Sequence, residues 1–172
     1  MSTHQVTRLT ISIDQPYAQF RTRLSAAVPQ LNVKRLAEMV ERKASWDEVL
    51  ADAAATAPFG FFIFWQLDVD PSMALNGNTA KCCEYLMGNH TIAERMFRVS
   101  PVAMLYVPLR FVLFQEAGGP TTLVIEQPSS ILASLMSPQI DVVGQELDQK
   151  LAALFLHLDV AVPAELATSG TP

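Results

Sequence analysis

Polar and apolar residues alternate along residues 6–13, VTRLTISI, and β-branched types dominate, so the pattern predicts a strand. The period then lengthens. Pro16 opens a helix whose apolar stripe is Tyr17, Phe20, Leu24, Ala27 and Val28, and Pro29 closes it. Residues 31–55 predict two further helices, the second begun by Ser45 with Glu48 three positions on, a capping box. PFGFFIFWQLDVD predicts a strand near 59–69, and Asn76, Gly77 and Asn78 predict a turn. Residues 79–87 read as a short helix ended by Gly88, with Asn89 capping a second one. MLYVPLRFVLF predicts a strand near 104–115, EAGGP a hairpin loop, and TTLVIEQ the returning strand near 121–127. Ser137 and Pro138 begin a long helix near 138–158. Its apolar positions Ile140, Val143, Leu147, Leu151, Leu154 and Leu158 step by three and four, which gives one continuous packing face, with Gly144 on it for close approach.

This order predicts an α+β fold, an antiparallel sheet of about four strands with helices packed on one face. Residues 1–162 form a single domain with a helical addition at 31–57, and residues 163–172, PAELATSGTP, lack periodicity and read as a flexible tail. There is no internal repeat, no alternating βαβ pattern and no Gly-rich phosphate loop, which argues against a nucleotide-binding fold.

Composition narrows the class. Half of the 172 residues are apolar, enough for one sizeable core, and the net charge of -5 is uneven: residues 1–50 hold seven Lys/Arg against five Asp/Glu, the rest five against twelve. An acidic main body disfavours a nucleic-acid partner. The apolar runs FGFFIF and MLYVPL fall far short of the roughly 18 residues a membrane span needs, and the first fifteen residues lack the apolar core of a signal peptide. The chain therefore reads as cytoplasmic. Two adjacent cysteines are no disulfide framework.

Candidate chemistry gathers in KCCEYLMGNHTIAERMFRVSP, residues 81–101, which holds Cys82, Cys83 and His90. Read as a helix, 79–87 places both cysteines among the core residues Leu86 and Met87, their side chains diverging by about 100° and so ill-suited to one zinc ion. In the following helix Ile92, Ala93, Met96 and Phe97 form the buried side, and His90, Glu94 and Arg98 the solvated one. His90 and Met96 then point apart, and neither a metal nor another cofactor is expected. No nucleophile has a recognisable base: Ser129 and Ser130 read as caps of a short helix, and His4 and His157 have no partner. No catalytic residue is assigned. An enzyme, or a metal or thiol-redox protein using Cys82, Cys83 and His90, is the alternative to a binding module.

YLMGNHTIAERMF, SPVAMLYVPLRFVLF, IEQPSS and VGQELDQKLAALF, in that order, resemble the bacterial and archaeal domain-of-unknown-function family numbered 302, over residues 58–158 and plausibly 6–28. The motif elements are the corner Gly88-Asn89, Pro108 within PLR, the run Gln127-Pro128-Ser129, and an LD.KL segment in the last helix. The resemblance implies a compact α+β fold with helices on one face of an antiparallel sheet and a tendency to form homodimers, and it implies no activity or cofactor. The family usually has Pro after its GN corner, where this chain has His90, which marks a helix start and not a ligand slot.

One feature asks for cover. Strict alternation puts Phe62, Phe64 and Gln66 on one side of the first long strand, and Met104, Tyr106, Pro108, Arg110, Val112 and Phe114 on the second face of the other. A sheet with helices on one side should show a polar second face. A second subunit burying these rings is the leading explanation. A small apolar or anionic ligand held by Arg110 among Phe62, Phe64, Tyr106, Phe114 and Glu126 is the next, and stacked RNA the least. Arg110 is also placed to pair with Glu126 across the hairpin.

Overall fold

Alternation along the first strand carries through to space: in β1 (Arg8–Ile13) Leu9, Ile11 and Ile13 are buried while Arg8, Thr10 and Ser12 are exposed. The protein is seen here in a computed structural model that describes residues 3–167. After β1 come α1 (Tyr17–Ala27), α2 (Val33–Glu41) and α3 (Trp46–Thr56). Asn32 Oδ1 caps α2 by accepting from Arg35 N at 3.0 Å, and Ser45 Oγ caps α3 by accepting from Glu48 N at 3.3 Å. Then follow β2 (Phe62–Asp68), the single turn α4 (Asp70–Ala74), β3 (Lys81–Gly88), α5 (His90–Phe97), a 3-10 turn at Pro101–Leu105, and the hairpin β4 (Leu109–Gln115) with β5 (Thr121–Glu126). The chain finishes with α6 (Pro128–Leu132), the long α7 (Pro138–His157) and the short α8 (Ala164–Ala167).

The fold class is α+β, as the sequence predicts. All neighbours in the sheet are antiparallel, in the order β1-β5-β4-β3-β2. Its core face carries Leu123, Ile125, Phe111, Leu113, Cys83, Tyr85 and Met87, and against these pack Phe20 and Leu24 of α1 and Leu147, Leu151, Leu154 and Phe155 of α7. Burying a stripe of this kind stabilises by about 1.5–3 kcal/mol per large side chain before entropy is subtracted.

The sheet has five strands because most of residues 79–87, expected to be helical, lies in β3. In KCCEYLMG only Cys83, Tyr85 and Met87 reach the core, at a spacing of two, while Cys82, Glu84 and Leu86 stay half-buried on the other face. Hydrogen bonding to β2 on one side and β4 on the other overrides a weak local helical preference. The strand expected from Met104 is shorter too. Residues 101–105 turn, the Val107–Pro108 bond is cis, and β4 begins only at Leu109, so Met104, Tyr106 and Pro108 lie outside the sheet. At the other end, residues 163–167 of the expected tail are ordered: Leu166 is buried and Gln127 Nε2 donates to Glu165 O at 3.0 Å. The remainder of that tail lies outside the described residues.

A bulge in β2 has larger consequences. Ile63 opposes Met87 and Trp65 opposes Leu86, so Phe64 is the extra residue. Beyond it the pleat is inverted, and Trp65 and Leu67 come to the outer face instead of the core side that unbroken alternation gives them. At the near end of the same strand, Leu31 N donates to Ile63 O and Ile63 N to Pro29 O, both at 2.9 Å. The chain leading into α2 thereby covers that stretch of the sheet edge.

Candidate functional site

β2 begins, β3 ends and β4 begins at one end of the sheet, and there a cavity of about 610 Å³ opens. α2 and α3 supply one wall with Met39, Val40, Trp46 and Val49; α5 supplies the opposite wall with Ile92, Met96 and Phe97. Phe64, Pro108 and Leu147 form the floor side. Among its lining residues only Lys43, Asn89, His90 and Glu94 are polar. The mouth is apolar as well, since Val40, Trp46, Phe97 and Met104 all keep substantial exposed surface.

The Gly88-Asn89 corner sets this geometry. A side chain at Gly88 would approach both Cα and Cβ of Pro108 at 3.3 Å, so the end of β3 and the entry to β4 lie in close contact. Asn89 Oδ1 accepts from Thr91 N at 2.9 Å and from Thr91 Oγ1 at 2.7 Å, and its Nδ2 donates to Gly60 O at 3.1 Å. One side chain thus caps α5 and ties it to the approach of β2. The first residue of α5 is His90, which sequence periodicity puts on a solvated face. Instead its ring stacks on Phe62, centroids 5.8 Å apart, and its Nδ1 is buried with no hydrogen-bond partner among the described residues. Burial holds its pKa below the ordinary histidine value, against a smaller opposing pull from Asp52. Phe97, expected in the core, is 51% exposed at the cavity.

The six residues proposed as a shared ligand surface do not share one. Phe62 is buried under Ala53 of α3 and Ala57 just after it, and Phe64 turns into the cavity. Tyr106 follows the 3-10 turn and meets the His4 ring edge-on at 6.1 Å. Arg110 and Phe114 do lie on the outer sheet face, but Arg110 pairs with Glu84 on β3 at 3.2 Å, and Glu126 pairs with Arg8 on β1 at 3.4 Å. The expected Arg110–Glu126 pair is replaced because β3 and β1, flanking the hairpin, bring nearer partners.

The other motif residues lock helices together. Asp148 of α7, fully buried, accepts from Ser129 N at 3.0 Å, Ser129 Oγ at 2.6 Å and Gln127 Nε2 at 2.9 Å. Pro128 supplies the N1 position of α6. Ser129 thus satisfies a buried carboxylate, and Ser130 Oγ accepts from Thr7 N and donates to Gln127 O.

Cys82 and Cys83 are successive residues of a strand and project to opposite faces. Burial raises the pKa of each thiol. Tyr85 shares the core-side network with Cys83; its hydroxyl accepts from Arg21 Nε at 3.2 Å, and Arg21 also pairs with Asp68 at 2.8 Å. No group of three or more His, Cys, Asp or Glu side chains positioned for a metal occurs among the described residues.

Comparison with known proteins fits these motifs. The family model "Domain of unknown function DUF302" matches residues 38–158. The chain belongs to the DUF302 family. A solved DUF302 structure, an uncharacterised conserved protein from Bacillus stearothermophilus, superposes with a TM-score of 0.62 at 15% identity, covering 88% of this chain and 97% of that one. At that identity the likeness speaks for the fold. No curated protein matches the chain. The DUF302 match begins at Glu38, inside the helical segment that forms one cavity wall. No helix among the described residues is long and apolar enough to cross a membrane.

Proposed function

We propose that this DUF302 chain is a binding module whose ligand places an apolar body in the cavity between α2–α3 and α5, and that two copies associate through the outer sheet face. The observation behind the first part is the cavity itself: about 610 Å³, walled almost entirely by apolar side chains, within the range of about 300–1,000 Å³ common for small-molecule sites. An aromatic and methionine lining adapts to varied apolar shapes. Catalysis has less support. His90 is the one titratable ring at the cavity, and the lining places no Ser, Thr, Cys or Tyr beside it, while the two thiols face apart with raised pKa values.

Native mass spectrometry of gently purified protein tests the reading, together with binding of an environment-sensitive apolar dye. Ala93, half-buried on the cavity wall, gives the control: Ala93→Phe fills space without opening the core. A retained small molecule or bound dye that Ala93→Phe excludes supports the proposal. Absence of both from the wild type refutes it.

A further inference from the structure

We infer that the ligand is an amphiphilic monocarboxylate, its acid group held at the cavity mouth by Lys43. This deepens the binding-module reading and rests on it. Two of the lining residues carry fixed charge, Lys43 and Glu94. Glu94 is already neutralised, its carboxylate taken by Arg98 through Nε at 3.0 Å and through Nη2. His90 is kept neutral by burial. The neighbouring cations are engaged as well: Lys34 with Glu38, Arg35 with Asp52, and Arg42 with both carboxylate oxygens of Glu48. Lys43 has no ion pair among the described residues. An apolar cavity with one uncompensated ammonium at its lining suits a ligand with one anionic group.

The backbone adds a second argument. α2 ends in a Schellman motif, with Lys43 N donating to Val40 O at 3.1 Å and Ala44 N to Met39 O at 2.9 Å, and Lys43 takes φ +55°. That left-handed position favours glycine, and a side chain there costs backbone energy. What Lys43 alone contributes is an ammonium group beside the cavity. A lone ammonium supplies a single positive charge, which a singly charged carboxylate matches and a phosphate dianion exceeds. Low-dielectric walls strengthen the pair relative to bulk water.

Trp46 lines the cavity and reports on it once the chain's other tryptophan is removed by Trp65→Phe. In that background, decanoate, decanol and decylammonium are titrated below their micelle concentrations and followed by Trp46 fluorescence. The expected order of affinity is decanoate, then decanol, then decylammonium. Lys43→Met weakens decanoate roughly fivefold to tenfold, as for loss of a partly exposed charge-assisted pair, and leaves decanol unchanged. Lys43→Arg keeps most of the preference. Lys43→Gly loses it while raising Tm, since the strained backbone is relieved, and so separates charge from folding. Equal affinity for decanoate and decanol in the wild type, or an unaltered ratio in Lys43→Met, overturns the assignment of Lys43 while leaving the cavity a ligand site. Failure of all three probes to bind removes the ligand site as well.

Discussion

Gly144 shows how little room some positions leave. A Cβ built there would stand 2.9 Å from Ser129 Cα, a backbone atom that cannot swing aside. Gly144→Ala should therefore push α6 off α7 and lower stability by about 1–3 kcal/mol in a urea titration, although alanine is the better helix former. Asp148 lies one turn further along the same contact. Asp148→Asn replaces an acceptor oxygen with an amide donor facing Ser129 N or Gln127 Nε2, and should cost about 2–4 kcal/mol. His90 gives a pH signature. Its folded pKa is lowered, so the unfolded chain binds the proton more readily, and stability falls as pH drops below about 6.5 toward the folded value. Denaturation of wild type and His90→Phe at pH 7.5 and 5.5 should show a smaller acid loss in the variant. An equal loss in both would contradict the burial of this ring.

At the scale of elements, α3 is the piece on which the cavity depends. Ala53 and Ala57 press on Phe62, with Leu31 and Phe64 beside them, a small cluster separate from the main core. Ala53→Asp should release α2 and α3, accelerating amide exchange there while the sheet stays protected, and abolish dye binding. The elements most directly readable from sequence include those with one buried face, β1, α1, α3, β5 and α7, where a single period fits the apolar positions, and α2 and α5 were legible from their position and caps. β3 was not readable. Its apolar residues at 82, 83, 85, 86 and 87 satisfy both helical and strand spacing, and both its faces are partly covered. The capping role of Asn89 could be read from its position before an apolar-periodic run. The cavity could not, because its walls come from segments distant along the chain, and a helical wheel for α5 has no knowledge that α3 lies over His90.

For the whole molecule, the outer face of the sheet is an apolar surface that no helix covers along its length. Trp65, Leu67, Leu86, Val112, Phe114 and Val124 lie across it, the first two substantially exposed. Arg110–Glu84 and Arg8–Glu126 sit among them, so a second copy related by a half-turn can set arginine against glutamate. Five strands about 4.8 Å apart and about six residues long present roughly 500 Å² in projection, and the corrugated accessible surface is larger, approaching the roughly 800 Å² per partner of a standard interface. Light scattering should give a dimer for the wild type and a monomer for Trp65→Glu with unchanged circular dichroism. A wild-type monomer would refute association through this face. The bulge at Phe64 divides β2 between cavity and outer surface, and this gives the strand a parity. Substitutions on either side of Phe64 can drift independently, and losing that one residue would leave Ile63 opposite Met87 and Trp65 opposite Leu86 in an unbulged ladder. A residue gained between Phe64 and Trp65 would instead crowd Trp65 and Leu67 into the positions of Gln66 and Asp68. This strand should therefore accept the loss of one residue at Phe64 far more readily than the gain of one beside it.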